Sequence, residues 1–275
     1  MEAVPAAGVV VAAIITTKLQ TEGREMIRLI VADIDGCFTG GGRSDLDLDL
    51  VAFVAQQNRE SLRNPSVPHL VFNTGRPLPY VQAMQQAVAS RMPSIAEFGA
   101  VLWCPDSQTH AIHPQYTTED RRRYEELVLA AEEEFGRQGS GVLIEAGKVC
   151  QLTLYPRKGV SMEELLEETN PFVERFSPHY TVDVTTAVIN FLPNGVHKGS
   201  ALEWLSARTG IAMEEMAGIG DSDCDWRFLE RCGISATPSN GRPMLQEHCT
   251  WRLNSGPADC IRELYQKITA WNYAS

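Results

Sequence analysis

Three stretches of this chain, Ile27 to Ala32, His69 to Phe72 and Met216 to Gly220, are dominated by apolar and β-branched residues, and each stops abruptly at a polar turn. A short run with no polar alternation has no side to offer water, so such a strand is buried on both faces. Sheets with two buried faces are the parallel ones that helices cover. Helical periodicity follows in the right places, over Val81 to Val88, over Ser200 to Arg208 ending at Gly210, and over Ala258 to Ile268 with Ile261, Leu264, Tyr265 and Ile268 on one face. Strands alternating with helices predict a doubly wound, Rossmann-like α/β core.

The middle of the chain reads differently. Residues 118 to 135 predict an amphipathic helix with Tyr124, Leu127, Val128, Ala131 and Phe135 on one stripe. Strands follow at Val142 to Ala146 and Val149 to Tyr155, separated by a turn at Gly147. A second helix opens at Ser161 with Glu164 completing a capping box, and Asn170-Pro171 should break or kink it. Tyr180 to Val184 and Ala187 to Leu192 read as a further hairpin. This helix-strand-strand-helix-strand-strand pattern predicts an α+β insert, a cap over residues 106–193, between core segments 26–105 and 194–275. An insert beside the strand-end crevice is placed to act as a lid.

Residues 1–25 read as a tail. The apolar run at 3–15 is too short for a membrane span and follows Glu2 in place of a basic segment, while Met26, next to the first strand, is a candidate natural start. The net charge of −11, from 35 acidic and 24 basic residues, argues against nucleic acid and anionic membranes as partners. Any anionic ligand must then be held by a local positive site. Seven scattered cysteines without a C-x-x-C pair argue against a disulfide framework or structural zinc, and fit a reducing cytoplasm.

The chemistry collects at the strand ends, where open α/β sheets bind ligands. Asp33-Ile34-Asp35-Gly36 follows the first strand; taken alone it reads equally as a turn with solvated acids. Thr74 and Gly75 follow the second, offering a hydroxyl and backbone N–H groups to a phosphate. Asp221, Asp223 and Asp225 follow the last, and they do not form a calcium loop, because Trp226 stands where glycine and Cys232 where glutamate would be needed. Lys198 lies 23 residues before Asp221 at the start of a helix. Two like charges about 4 Å apart repel by roughly 4 kcal/mol at an effective dielectric of 20, so an acidic site that accepts a phosphate dianion needs cations. Lys198 and a divalent ion supply them. Oxygen ligands from Asp33, a backbone carbonyl near Asp35, and Asp221 suit Mg2+ better than zinc. Gly40-Gly41-Gly42 lacks a following Gly-Lys-Ser/Thr and reads as a flap beside Asp33, not a nucleotide loop.

Four segments, Asp33-Ile34-Asp35-Gly36, Asn73-Thr74-Gly75-Arg76, Gly195-Val196-His197-Lys198-Gly199 and Gly220-Asp221-Ser222-Asp223-Cys224-Asp225, stand in the order and approximate spacing of the motifs of the haloacid dehalogenase-like superfamily. The chain resembles that family across both core segments, including Ala96-Glu97-Phe98-Gly99-Ala100 ahead of the insert, and the insert's pattern is similar to the type-two cap of sucrose-phosphate and mannosyl-phosphoglycerate phosphatases. The resemblance implies Asp33 as nucleophile and Asp35 as general acid and then base. It further implies Thr74 and Lys198 on the phosphoryl group, and Asp221 with Asp225 at a magnesium ion. Many relatives carry Asn where this chain has Cys224, which leaves the fine geometry open.

The expected activity is hydrolysis of a small phosphorylated metabolite, such as a sugar or polyol phosphate, through an aspartyl-phosphate. A phosphomutase or phosphotransferase, and a non-catalytic phosphosugar-binding protein suggested by Cys224, are the rivals. Arg76, Lys148, Gln151 and Asn190 are the candidate substrate contacts. The sequence is silent on oligomeric state.

Overall fold

A computed structural model describes residues 25–42 and 44–274. The readings of residues 1–24 as a tail lie outside the described residues.

The core is a parallel five-stranded sheet in the order β12-β11-β10-β1-β2, with β1 at Leu29–Ala32, β2 at His69–Phe72, β10 at Met216–Ile219, β11 at Ile234–Thr237 and β12 at Trp251–Arg252. Its centre is β1, paired with β2 on one side (Val31 opposite Val71) and β10 on the other (Val31 opposite Gly218). Every residue of β1 is fully buried, and successive side chains enter different clusters. Ile30 and Ala32 meet Leu50 and Val54 of helix α1 (Leu48–Ser61) and Ile261 and Leu264 of the C-terminal helix Asp259–Ala274. Leu29 and Val31 meet Leu202 and Leu205 of the helix Lys198–Thr209. Burying each such aliphatic side chain is worth about 1.5–3 kcal/mol, so both helix layers are held by the same four residues. The core is the doubly wound α/β arrangement that the apolar runs predict.

The sequence offers for Asp45 to Leu50 only a half-exposed element of unstated type, and the structure shows it leading into helix α1. Its N-cap is Asp47, whose carboxylate accepts the Leu50 amide at 2.9 Å, so the alternating acids of Asp45 to Leu50 run into a helix start. At the end of β2, Asn73 bridges Ile95 of β3 (Ser94–Ala96), which pairs antiparallel with β4 (Val101–Cys104) and through it with β5 (Thr109–Ile112).

A second, antiparallel sheet has the order β6-β7-β9-β8, from Val142–Ile144, Leu152–Pro156, Ile189–Pro193 and Tyr180–Val184. Helices Thr118–Phe135 and Met162–Phe176 cover it, packing Leu127, Phe135, Leu165 and Phe172 against Leu154 and Phe191. Two expectations change here. Helix Met162–Phe176 runs unbroken through Pro171. Glu167 and Pro171 both lie on the exposed side, so the Glu167 carbonyl that loses its partner faces solvent, and Phe172 stays packed. The strand expected from Val149 starts only at Leu152, because the amides of Val149 and Cys150 are drawn off the sheet by the carboxylate of Glu97.

Among the described residues no helix is long and apolar enough to cross a membrane.

Candidate active site

The carboxyl ends of β1, β2 and β10 bring together the residues that the four motifs single out. Asp33 leaves β1 with its amide on the Ile219 carbonyl at 2.9 Å, and its Oδ1 lies 2.9 Å from Lys198 Nζ. Lys198, at the first turn of its helix, also reaches Asp225 Oδ1 at 2.5 Å. Its helix is fixed to the end of β2 by Asn73, whose side-chain amide donates to the Lys198 carbonyl at 3.2 Å. Lys198 and Asp225 are both buried, at 3% and 0% exposure, so this is an ion cluster taken out of water.

Asp225 is the hub. It accepts from Lys198, from the amides of Asp221 (3.2 Å) and Ser222 (3.0 Å) and from the Ser222 hydroxyl (2.7 Å), which leaves a buried carboxylate fully bonded. Ligand oxygens of Asp33, Asp221 and Asp225 all lie within 4.8 Å of one another. Burial, only partly offset by Lys198, raises the Asp33 carboxyl well above its ordinary range, and Asp225, Asp221 and Asp35 push it further. Burial and then Asp225 raise Asp221 to about 7. Burial alone would drive the proton from Lys198, but Asp225 and Asp33 more than reverse this and hold the ammonium charged. The site therefore carries more carboxylate than one lysine can balance. Hard oxygen donors at this spacing with surplus negative charge fit a divalent cation of the magnesium type.

The tight turn after Asp33 depends on glycine. Gly36 has φ +85°, and a Cβ there would stand 2.1 Å from Asp221 Oδ2, so the β1 turn and the β10 turn touch through the absence of a side chain. Thr74 is buried, its hydroxyl accepts the Arg76 amide at 3.2 Å, and with Gly75 it borders the same crevice. Arg76 grips Asp35 with two bonds of 2.7 Å, stacks 5.0 Å from the Tyr80 ring and lies 3.9 Å from Glu145. Asp35 is the more exposed acid, with 36% of its side chain accessible.

The crevice encloses about 720 Å³ between the two sheets. Its floor is the Asp33, Lys198 and Asp221 cluster, and its far wall belongs to the antiparallel sheet. Lys148 and Asn190 line that wall. Lys148 Nζ contacts Glu145 Oε2 at 2.8 Å and Thr153 Oγ1 at 2.5 Å, while Asn190 accepts from Thr153 at 2.8 Å and donates to Asp183 at 3.3 Å. Gln151 points elsewhere: fully buried, it donates to the Gly75 carbonyl at 3.1 Å and is not part of the lining. Gly40 to Gly42 do border the crevice, and Cys224 does too, with its Sγ 3.1 Å from Ser222 Oγ. Burial and Asp225 raise that thiol to about 12, which keeps it neutral.

The sequence reading missed the segment after β11. Asn240 donates to the Gly36 carbonyl at 3.0 Å and the Arg242 amide to the Asp221 carbonyl at 2.9 Å, and both residues line the crevice. Its signal was the turn cluster Pro238-Ser239-Asn240-Gly241, but the strand before it, Ile234-Ser235-Ala236-Thr237, alternates apolar and hydroxyl residues and lacks the continuous apolar run of the other three.

Residues 143–263 match the family model of a haloacid dehalogenase-like hydrolase. A phosphoglycolate phosphatase of Staphylothermus marinus is 28% identical over 248 residues, covering 88% of this chain and 98% of that one. Among solved structures, a haloacid dehalogenase-like hydrolase from Bacteroides thetaiotaomicron superposes with a TM-score of 0.65 at 14% identity, covering 88% of this chain and 99% of its own. The sucrose-phosphatase of Synechocystis, in complex with sucrose and phosphate, does so with a TM-score of 0.59 at 14% identity, covering 88% and 98%. The chain is thus similar to haloacid dehalogenase-like hydrolases over residues 143–263 and to a phosphoglycolate phosphatase over most of its length, and it shares the fold of these solved structures.

Proposed function

We propose that this protein hydrolyses a small phosphomonoester by passing the phosphoryl group first to Asp33 and then to water. The observation that carries the reading is the convergence of Asp33, Asp221 and Asp225 on Lys198 at the floor of a crevice bordered by Thr74 and Gly75. Lys198 balances part of the cluster's charge, and the Thr74 hydroxyl and Gly75 beside it offer the donors that a phosphoryl group requires.

In the first step a carboxylate oxygen of Asp33 bonds to phosphorus as the ester P–O bond breaks, and Asp35 gives its proton to the departing alcohol. In the second, water attacks the aspartyl-phosphate, the bond from phosphorus to Asp33 breaks, and Asp35 takes the proton of the water. Thr74, the Gly75 amide and Lys198 hold the phosphoryl oxygens. Asp33 and Asp221, with the backbone carbonyl of Asp35, would hold Mg2+, with Asp225 supporting them through its bonds to Lys198 and the Asp221 amide, and the ion would supply the remaining positive charge against which the anions approach. Arg76 bears on the acid role of Asp35, because its two-pronged grip occupies both carboxyl oxygens. One prong must open before Asp35 can carry a proton to the leaving group.

The leaving group lies against the far wall, where Glu145, Lys148, Thr153, Tyr155, Asp183 and Asn190 offer donors and acceptors in about equal measure. That wall suits a hydroxyl-bearing alcohol, as in a sugar or polyol phosphate; phosphoglycolate, the substrate in the name of the Staphylothermus relative, is the first alternative to try. The test is phosphate release in Mg2+ from a panel that includes both classes and a generic aryl phosphate. Asp33→Asn is expected to abolish release, and undiminished turnover in that variant would remove Asp33 from the reaction. Free phosphate as product, and not an isomeric sugar phosphate, distinguishes hydrolysis from a mutase.

A further inference from the structure

Glu97, Phe98 and Gly99 form a turn between β3 and β4 in which all three residues have left-handed backbone, with φ of 53°, 53° and 113°. Non-glycine residues rarely adopt this conformation, and two in succession persist only where surrounding contacts hold them. The contacts here run to the phosphate-side loop. The Glu97 amide donates to the Arg76 carbonyl at 3.1 Å and the Phe98 amide to the Thr74 carbonyl at 3.0 Å. The Phe98 ring fills the space above Gly75, where a Cβ would meet it at 2.3 Å, and lies 5.6 Å from Lys198 Nζ.

The same turn aims a carboxylate across to the antiparallel sheet. Glu97 is 1% exposed, and its oxygens accept the Val149 amide at 3.1 Å each and the Cys150 amide at 2.9 Å. Val149 and Cys150 belong to the connection between β6 and β7, which also carries Glu145 and Lys148 into the crevice. Two further bonds pin that connection: Gln151 to the Gly75 carbonyl at 3.1 Å, and the Tyr124 hydroxyl to the Lys148 carbonyl at 2.8 Å.

We propose that Glu97 is a positioning residue for the reaction: its carboxylate gathers the Val149 and Cys150 amides and so fixes Lys148 and Glu145 over Asp35, where the leaving group lies. The proposal rests on the phosphatase reading above for the meaning of "leaving group", but not for the latch itself. The groups facing Glu97 are the Lys148 ammonium, the Tyr124 phenol and the Cys150 thiol, with Arg76 and Glu145 behind Lys148. Burial lifts Glu97 to about 7, with the amides and Lys148 pulling it back. Protonation turns one acceptor oxygen into a donor, so the latch weakens as pH falls below about 7.

The test is Glu97→Gln in the full chain, which keeps the shape and replaces one acceptor by a donor aimed at amides. Hydrogen exchange at pH 8 should speed up about tenfold or more at Val149 and Cys150, the order expected for one lost charge-assisted hydrogen bond, with the core strands unchanged. In kinetics, kcat/KM for phosphoglycolate or a hexose phosphate should fall about tenfold more than for acetyl phosphate, mainly through KM. The wild-type rise of KM below pH 7 should be absent in the variant. Glu97→Asp, which retains the charge, should restore part of both effects and serves if the glutamine variant does not fold. Unchanged exchange at the two amides, or equal losses for all substrates, overturns the proposal. Absence of turnover in the wild type would defeat the phosphatase reading alone, and the exchange result would still decide the latch.

Discussion

Replacing Lys198 by methionine asks what holds the acidic cluster together. Methionine preserves most of the aliphatic volume, so the change removes charge more than packing. Lys198 is the cation in direct contact with Asp33 at 2.9 Å and with Asp225 at 2.5 Å, all three side chains at most 8% exposed. At an effective dielectric of 20, one unit pair at 2.9 Å is worth about 6 kcal/mol before desolvation is subtracted. Removing one partner of a buried cluster costs about 3–5 kcal/mol in practice, which for a chain of this size lowers Tm by roughly 10 °C. The cost should depend on pH in a set direction. Asp33 already holds its proton to higher pH than an unfolded aspartate, and without Lys198 it does so further. A carboxyl with a raised folded pKa destabilises above that pKa and ceases to do so as it protonates. Urea unfolding of Lys198→Met in EDTA should therefore show the full deficit at pH 8 and a smaller one at pH 5.5. A deficit equal at both pH values, or none, would refute the view that Lys198 neutralises this cluster.

Gly36→Ala puts a methyl group 2.1 Å from Asp221 Oδ2 at a φ of +85°. The backbone alone costs about 1–2 kcal/mol, and displacing Asp221 by about 1 Å should cut Mg2+-dependent phosphate release by about 100-fold; a phosphate assay at wild-type rate would count against the contact. His69 is buried between the Ser61 and Ser90 hydroxyls, at 2.9 and 3.0 Å, and burial lowers its pKa to about 4. Its folded pKa lies below the unfolded value, so stability is intact above about pH 6.5 and is lost as pH falls through 4, by about 3 kcal/mol. That slope, read by urea titration, should flatten in His69→Gln.

The parallel core was legible because its strands have no exposed side: Leu29 to Ala32 are apolar at every position, and each strand ends where the chemistry begins. Four motif segments could be assigned to one site for the same reason. Glu97 and Arg76 were opaque in their roles because those depend on partners far along the chain, at Val149 and Asp35, and no local pattern announces a buried carboxylate receiving amides. The helical character of α1 escaped notice because Asp45, Asp47 and Asp49 alternate with leucines at a period of two, hiding a 3.6-residue stripe of Leu50, Val54 and Asn58. The early start assigned to β7 failed for a tertiary reason, since Val149 has good strand character but finds a better acceptor off the sheet.

The central place of β1, flanked by a strand about forty residues ahead and another nearly two hundred ahead, has a bearing on how the molecule is made. A growing chain presents Asp33 long before Met216 to Ile219 exist to cover one edge of its strand, and bridging so long an interval is entropically slow. Until then a greasy strand edge lies open to other chains. The acids of the cluster stay apart and hydrated until the final third of the polypeptide arrives, so repulsion among them is met only when Lys198 is already at hand.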